Sequence, residues 1–354
     1  MYVQYLGGST YHIGLIIGVF SVASLLLRPF LGVWMDRAGR RSFLLAGAGI
    51  YVVASLGYIA IRSVPGLLAW RVFHALGLAT FSTAAASLAG DLAPVGRRGT
   101  TMGVLGLAQA GALTIGPGLG QALQSSLGYT GLFVATACTA FAALVCALAV
   151  PRSPSPAPRL PARTRGVRGR ALLDAAALPA AVQFPASVAY GTIVSFLAVV
   201  AQDRGLDVVG MFFALLALSS LGVRLVAGRA YDTWGAVAVL APAFPALALG
   251  MVMLAVAAGP GLFLLAAVLA GVGIGGTHTT LLARVVDRSA LESRASSVAG
   301  FTACWELGVG GGTILMGRLA EAAGFSVMFL AVASLPLLGL GSLRWLRTSR
   351  TTAP

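Results

Sequence analysis

Apolar stretches of about 20 residues recur along the whole chain with only short polar breaks between them, the length an α-helix needs to cross the hydrocarbon core of a bilayer. Eleven such spans are read, at 12–33, 43–62, 67–90, 99–122, 131–150, 174–200, 209–229, 237–258, 262–286, 295–319 and 326–345. Open strands cannot satisfy their backbone groups in lipid, and no segment shows the apolar–polar alternation of a barrel. Only 10% of residues are charged, against about 25% in a soluble domain. Mean hydropathy is +0.91. The fold class expected is an all-α membrane protein.

The net charge is +14, and every basic residue is arginine. This is not the footprint of a nucleic-acid partner, because the arginines lie between apolar spans rather than on one soluble face. The densest group is in residues 151–170, with five prolines, six arginines and no acid. That composition predicts a flexible cytoplasmic linker over 151–173, joining a bundle at 1–150 to a second at 174–354. Alternation from that point places sixteen arginines in cytoplasmic loops and the C-terminal tail, and only Arg62, Arg204 and Arg318 outside. A multi-pass protein of the cell membrane, with linker and C-terminus in the cytoplasm, is expected. Cys138, Cys146 and Cys304 lie in apolar runs without metal or disulfide spacing and are expected to be small packing residues.

An internal repeat runs through the chain at one offset of 196 residues. It pairs Gly32 with Gly228, Asp36 with Asp232, Gly39 with Gly235 and Arg28 with Arg224. It also pairs Thr83 with Thr279, Asp91 with Asp287, Arg98 with Arg294, Gly116 with Gly312 and Gly128 with Gly324. Chance likeness between apolar helices would match Leu and Ala, not loop Asp, Arg and Gly. Two parallel repeats about an axis along the membrane normal are expected. The same offset gives the span 174–200 a partner of which only the tail, Met1 to about Leu6, is present. The expectation is therefore eleven spans of a twelve-span plan, short of most of the first helix.

The loop after the first span reads Gly32-Val33-Trp34-Met35-Asp36-Arg37-Ala38-Gly39-Arg40-Arg41. Gly32 lets helices approach, Asp36 can accept from a helix N-terminus or an arginine, and Gly39 permits a tight turn. This resembles the signature loop of the major facilitator superfamily, with Trp34 where that family usually has leucine. The second copy keeps Gly228, Asp232 and Gly235 but lacks the trailing arginine pair. The resemblance implies two pseudo-symmetric six-helix bundles rocking about one central site. It also implies that Gly32, Asp36, Arg37, Gly39, Arg40, Arg41, Asp91 and Asp232 belong to a gating latch. Asp91 with Arg97 and Arg98, and Asp287 with Arg294, are expected to pair with those loops.

Two further motifs carry the resemblance. Arg71 to Gly77 is similar to the arginine pattern of the family's fourth helix, which implies a part in proton coupling for Arg71. His74, one turn deeper, reads as a hydrogen-bonded packing residue. Gly103, Gly116, Pro117 and Gly120 match the family's antiporter motif, while Ala112 and Gln121 stand where it has glycine. The spacing of Ala112, Gly116 and Gly120 predicts close helix packing, and Pro117 predicts a bend.

Glu306 lies about ten residues into its span, or roughly 15 Å at 1.5 Å per residue, near the midplane. Its repeat partner is Ala110, so the fold does not require an acid there. Thr302, Gly310 and Thr313 share its helical face. A proton-carrying or cation-recognising role is expected, with His278 on a neighbouring helix as a further candidate.

No nucleotide-binding loop, metal cluster or catalytic constellation is found, and neither enzymatic activity nor a cofactor is expected. The expected function is proton-coupled efflux of a small organic compound by alternating access, by a monomer whose partners are substrate, protons and lipid. Two alternatives remain open: a proton-coupled importer of a sugar or organic acid, and a truncated membrane protein that does not transport.

Overall fold

The computed structural model describes residues 2–92, 98–151, 165–289 and 294–347. Among them the regular structure is entirely helical. The elements are α1 (Tyr2–Tyr5), α2 (Thr10–Ala38), α3 (Arg40–Gly57), α4 (Val64–Leu92), α5 (Arg98–Ala149), α6 (Arg165–Asp203), α7 (Val209–Trp234), α8 (Ala236–Val256), α9 (Pro260–Arg288) and α10 (Arg294–Arg347). Among the described residues, eight helices are long and apolar enough to cross a membrane. Two of those candidate spans, Ile115–Ala149 and Gly300–Gly341, run through a glycine joint. The Arg40–Gly57 helix, which opens on an arginine pair, is not among the eight.

The joints are where the sequence reading and the structure differ. Loops were expected at 123–130 and 320–325. Instead α5 and α10 each pass through a single non-helical residue, Gly128 at φ 67° and Gly324 at φ 85°. Gly39 and Gly235 turn α2 into α3 and α7 into α8 at φ 89° and 83°. A side chain is strained at such angles, so a lone glycine reverses the chain where several polar residues would otherwise be needed.

Helix ends obey the same repeat. Ala38 and Trp234 end α2 and α7, and Arg40 and Ala236 open α3 and α8. Val64 and Pro260 open α4 and α9, Leu92 and Arg288 end them, and Arg98 and Arg294 open α5 and α10. Every one of these pairs is 196 apart. The repeat is thus one of backbone, not of apolar composition alone.

The chain divides into two compact units, Met1–Leu160 and Pro161–Pro354. In the first, α4 packs against α2 and α3, and α3 against α5. Its core is built on Met35, Leu44, Ala84, Leu88 and Ala147. In the second, α6 packs against α10 and α9, while α9 also packs against α7 and α8. Val182, Leu240, Phe244, Leu281, Val285 and Phe301 form a core there. The Ala177–Asp203 part of α6 is largely apolar, and Ile193, Phe196, Leu197 and Val200 on it are fully buried. Most of the expected linker, 152–164, lies outside the described residues. The rest is not loop, because α6 already begins at Arg165, soon after the last proline, Pro161.

Large apolar side chains stand outward on several helices, among them Leu26, Phe30, Leu218, Leu225 and Leu338, each more than 60% exposed. Such surfaces would be a liability in water and are matched by hydrocarbon. The two cysteines of α5, Cys138 and Cys146, are likewise exposed, while Cys304 is half-buried. The expectation of buried cysteines fails for the first two because an apolar span in a bundle keeps a lipid-facing side.

Candidate functional site

Several polar residues of the second unit lie close together. Gln183 on α6 donates from Nε2 to His278 Nδ1 on α9 at 3.0 Å, which leaves Nε2 as the ring's remaining hydrogen-bonding atom. The imidazole packs edge-on to Trp305 at 5.0 Å between centroids and lies 5.7 Å from Phe301. Trp305 also stacks at a tilt on Tyr190 of α6, 5.5 Å away. On α7, Arg224 donates from Nη1 to Thr279 Oγ1 at 3.3 Å. Its guanidinium lies within electrostatic reach of Tyr190 and His278. Arg224 and His278 each lie ten residues before the end of their helix, roughly 15 Å along the axis. Glu306 is half-buried on α10 beside Trp305, at a similar distance from the start of its helix. Four helices thus bring a carboxylate, a guanidinium, an imidazole and an amide to one depth.

The stripe expected beside Glu306 is present only in part. Thr302 and Thr313 turn their hydroxyls back onto their own helix, donating to Val298 O and Gly310 O at 2.9 Å each. Thr313 is fully buried. Gly308, next but one to Glu306, lies where a Cβ would meet Ser187 Oγ at 1.8 Å, so this part of α10 is pressed onto α6.

The first unit carries its own cluster. Tyr58 Oη lies 2.8 Å from His74 Nδ1. Arg71 extends over the rings of Phe20 and Tyr58, with Cζ 5.1 and 5.8 Å from their centroids. Its nearest described neighbours are thus aromatic faces, which hold a cation in a span without an acid. His74 is enclosed by Phe20, Tyr51 and Tyr58, in keeping with a hydrogen-bonded packing residue.

The loop motif is drawn together by its arginines. Arg40 forms an ion pair with Asp91 and donates from Nη1 to Ser87 O at 3.4 Å, tying the start of α3 to the end of α4. Arg41 donates from Nε to Val150 O at 2.7 Å and from Nη2 to Leu148 O at 2.8 Å. It thereby caps the C-terminal carbonyls of α5, where a cation also meets the negative end of the helix dipole. Gly32, Asp36 and Arg37 fall in the last turns of α2, and their side chains lie outside the described set, as do those of Arg98 and Arg294 and all of Arg97. In the second copy Asp232 is exposed, and Asp287 accepts from Tyr231 Oη at 2.6 Å. The repeat keeps the acid at 91 and 287 but changes the residue that holds it.

Gly103, Gly116, Pro117 and Gly120 all lie within α5. The close packing expected at Gly116 and Gly120 is not seen among the described residues. A Cβ added at Gly116 or Gly120 would meet nothing within 4 Å. At Gly312, the repeat partner of Gly116, it would meet Val188 of α6 at 2.8 Å. Small residues permit close approach but do not supply the neighbour; at Gly312 α6 supplies it.

Sequence reasoning missed Arg224, Tyr190 and Trp305 as site residues. A signal was available for Arg224, because the repeat pairs it with Arg28 and Thr279 with Thr83.

The family model described as Major Facilitator Superfamily matches residues 1–300 and 180–354. An uncharacterized MFS-type transporter of Escherichia coli, YhhS, is 26% identical over 95% of the chain and 83% of its own length. Multidrug resistance protein 2 of Bacillus subtilis is 28% identical over 34% of the chain and 30% of its own length. Among solved structures, a bacterial homolog of the human lysosomal transporter Spinster, inward-facing and unoccupied, superposes with a TM-score of 0.73 at 18% identity, over 99% of this chain and 93% of that one.

Proposed function

The chain belongs to the major facilitator superfamily, and from that premise we propose that it is a proton-coupled secondary transporter that exports a small organic compound by alternating access. It is a multi-pass membrane protein of a transporter family. Export, proton coupling and a place in the cell membrane with a cytoplasmic linker are this proposal's own content.

The observation that carries it is Glu306, half-buried on α10 in the same layer as Gln183, Arg224 and His278. An acid within a membrane span is costly to keep and marks a proton relay or an ion path. In a polar layer shared by four helices, its charge can bias how those helices pack. Glu306 is assigned the proton carrier, with Arg71 and His278 as contributing polar groups. The matches to the antiporter motif at Gly103, Gly116, Pro117 and Gly120 favour exchange, and the relative named for multidrug resistance favours export. The Arg40–Asp91 pair and the Arg41 cap would act as the latch that holds one end of the cycle.

The test uses everted membrane vesicles with an acidified lumen and a pH-sensitive dye, challenged with a panel of amphipathic compounds. A compound that collapses the gradient in vesicles bearing the chain, but not with Glu306→Gln or in empty vesicles, supports proton-coupled export. Equal collapse with Glu306→Gln removes the carrier assignment, and no collapse by any compound removes the export reading.

A further inference from the structure

From the geometry around Arg224 we infer that the exported compound is an organic anion, and that the Arg224 guanidinium is the group that binds its carboxylate. The inference deepens the transporter reading and rests on it.

Arginine within a membrane span is costly and is kept where it meets a partner or a ligand. Among the described residues, Arg224 has no carboxylate partner. Its contacts are the hydroxyl of Thr279 and the electrostatic neighbourhood of Tyr190 and His278. Its Nε is buried and makes no hydrogen bond. Thr279 engages only Nη1, so the Nε edge of the planar fork remains to present two parallel N–H groups, the geometry a carboxylate accepts.

The surroundings favour an anion with an apolar body. Tyr190 and Trp305 pack at a tilt against each other, and Trp305 and Phe301 both pack against His278. The imidazole is held by Gln183 through Nδ1, leaving Nε2 to meet a second polar atom. Every one of these groups belongs to the second unit. The repeat sets Arg28 at the matching register of α2, so a cation at this depth is a property of both bundles. Lysine would not serve equally: its ammonium is a compact, strongly hydrated point charge without the fork.

The experiment is equilibrium binding to the purified full chain in detergent, by scintillation proximity, with radiolabelled benzoate, salicylate and octanoate, and with benzamide as neutral isostere. The expected result is saturable binding of at least one carboxylate and none of benzamide. Arg224→Gln and Arg224→Lys, each checked for an unchanged elution profile, should weaken it by about tenfold or more, the loss expected when a desolvated charge pair is broken. The lysine variant retains the positive charge, so its loss would locate recognition in the guanidinium fork rather than in fold or net charge. Benzamide binding as well as benzoate, no binding by any of the three carboxylates, or binding unchanged in both variants overturns the inference. So does displacement of benzoate by equimolar chloride, which would assign the site to an inorganic anion. Proton-driven export of a neutral or cationic amphiphile without carboxylate binding would sink the anion assignment and leave the exporter reading standing. Carboxylate binding lost in both Arg224 variants, with no transport of any probe, would do the reverse.

Discussion

Gly116 and Gly312 occupy the same position in the two repeats, yet their described surroundings differ: Val188 of α6 lies 2.8 Å from where the Cβ of Gly312 would be, and no described residue lies within 4 Å at Gly116. The two glycines therefore answer to different pressures. Gly312→Ala forces α6 and α10 apart and should cost about 1–3 kcal/mol, the usual range for overpacking. Gly116→Ala meets no neighbour among the described residues and removes the backbone freedom of a mid-helix glycine, so stability should stay level or rise by up to about 1 kcal/mol. Thermal unfolding of the purified variants distinguishes them. A larger loss at Gly116 than at Gly312 would show that the open face of α5 is packed in the bilayer.

The Arg40–Asp91 pair lies in the loop region proposed as a latch. Both side chains are partly solvated, and such pairs contribute only about 0–1 kcal/mol to folding. Arg40→Asp or Asp91→Arg should thus leave the unfolding temperature nearly unchanged while slowing transport several-fold. The double swap Arg40→Asp with Asp91→Arg should recover much of the rate. Failure of the swap to recover it, with protein levels equal, would mean that position rather than pairing matters.

Arg204 does for α8 what Arg41 does for α5. It donates from Nη1 to Leu254 O at 2.6 Å and Ala257 O at 2.9 Å, and from Nη2 to Ala255 O at 3.3 Å. Burial pulls its guanidinium below its ordinary value, with the Asp203 charge opposing. Arg204→Ala strips a helix end of its cap and should destabilise by about 1–3 kcal/mol, while Arg204→Lys recovers part of that loss. Transport per folded molecule should not change, because this arginine lies outside the polar layer.

The fold was legible because its signals are local or periodic. Apolar runs set the helices, and one offset tied Gly39 to Gly235 and Asp91 to Asp287 without reference to structure. Gly128 and Gly324 were paired by that offset, but nothing local showed that each alone reverses the chain; packing decides which glycine takes a positive φ. The site was legible only at Glu306 and His278, and not as a cluster. Gln183 reaches His278 across 95 residues and Arg224 reaches Thr279 across 55, and helical periodicity says nothing about contacts at such separations. For Arg71 the sequence showed the charge but not the rings of Phe20 and Tyr58 that surround it. The small-residue motif of α5 showed what could approach, not what does.

The hydrogen bond between Gln183 and His278 separates two roles for the histidine. If the pair is a clasp between α6 and α9, Gln183→Leu leaves a ring nitrogen without its partner and His278→Phe leaves the amide without its own. Each single change should then cost about 1–3 kcal/mol, the desolvation of an unpaired buried group. Replacing both removes both polar atoms, so the double variant should lose clearly less than the sum, and a double-mutant cycle on unfolding temperatures reads that difference. Transport adds the second axis. With Glu306 as the proton carrier, the double variant still exchanges compound for protons, at a rate lowered by the loss of the ring's Nε2 but with its proton coupling intact. Were His278 itself a carrier, His278→Phe and the double variant would both lose coupling while Gln183→Leu kept it, and the assignment would pass from Glu306 alone to Glu306 with His278.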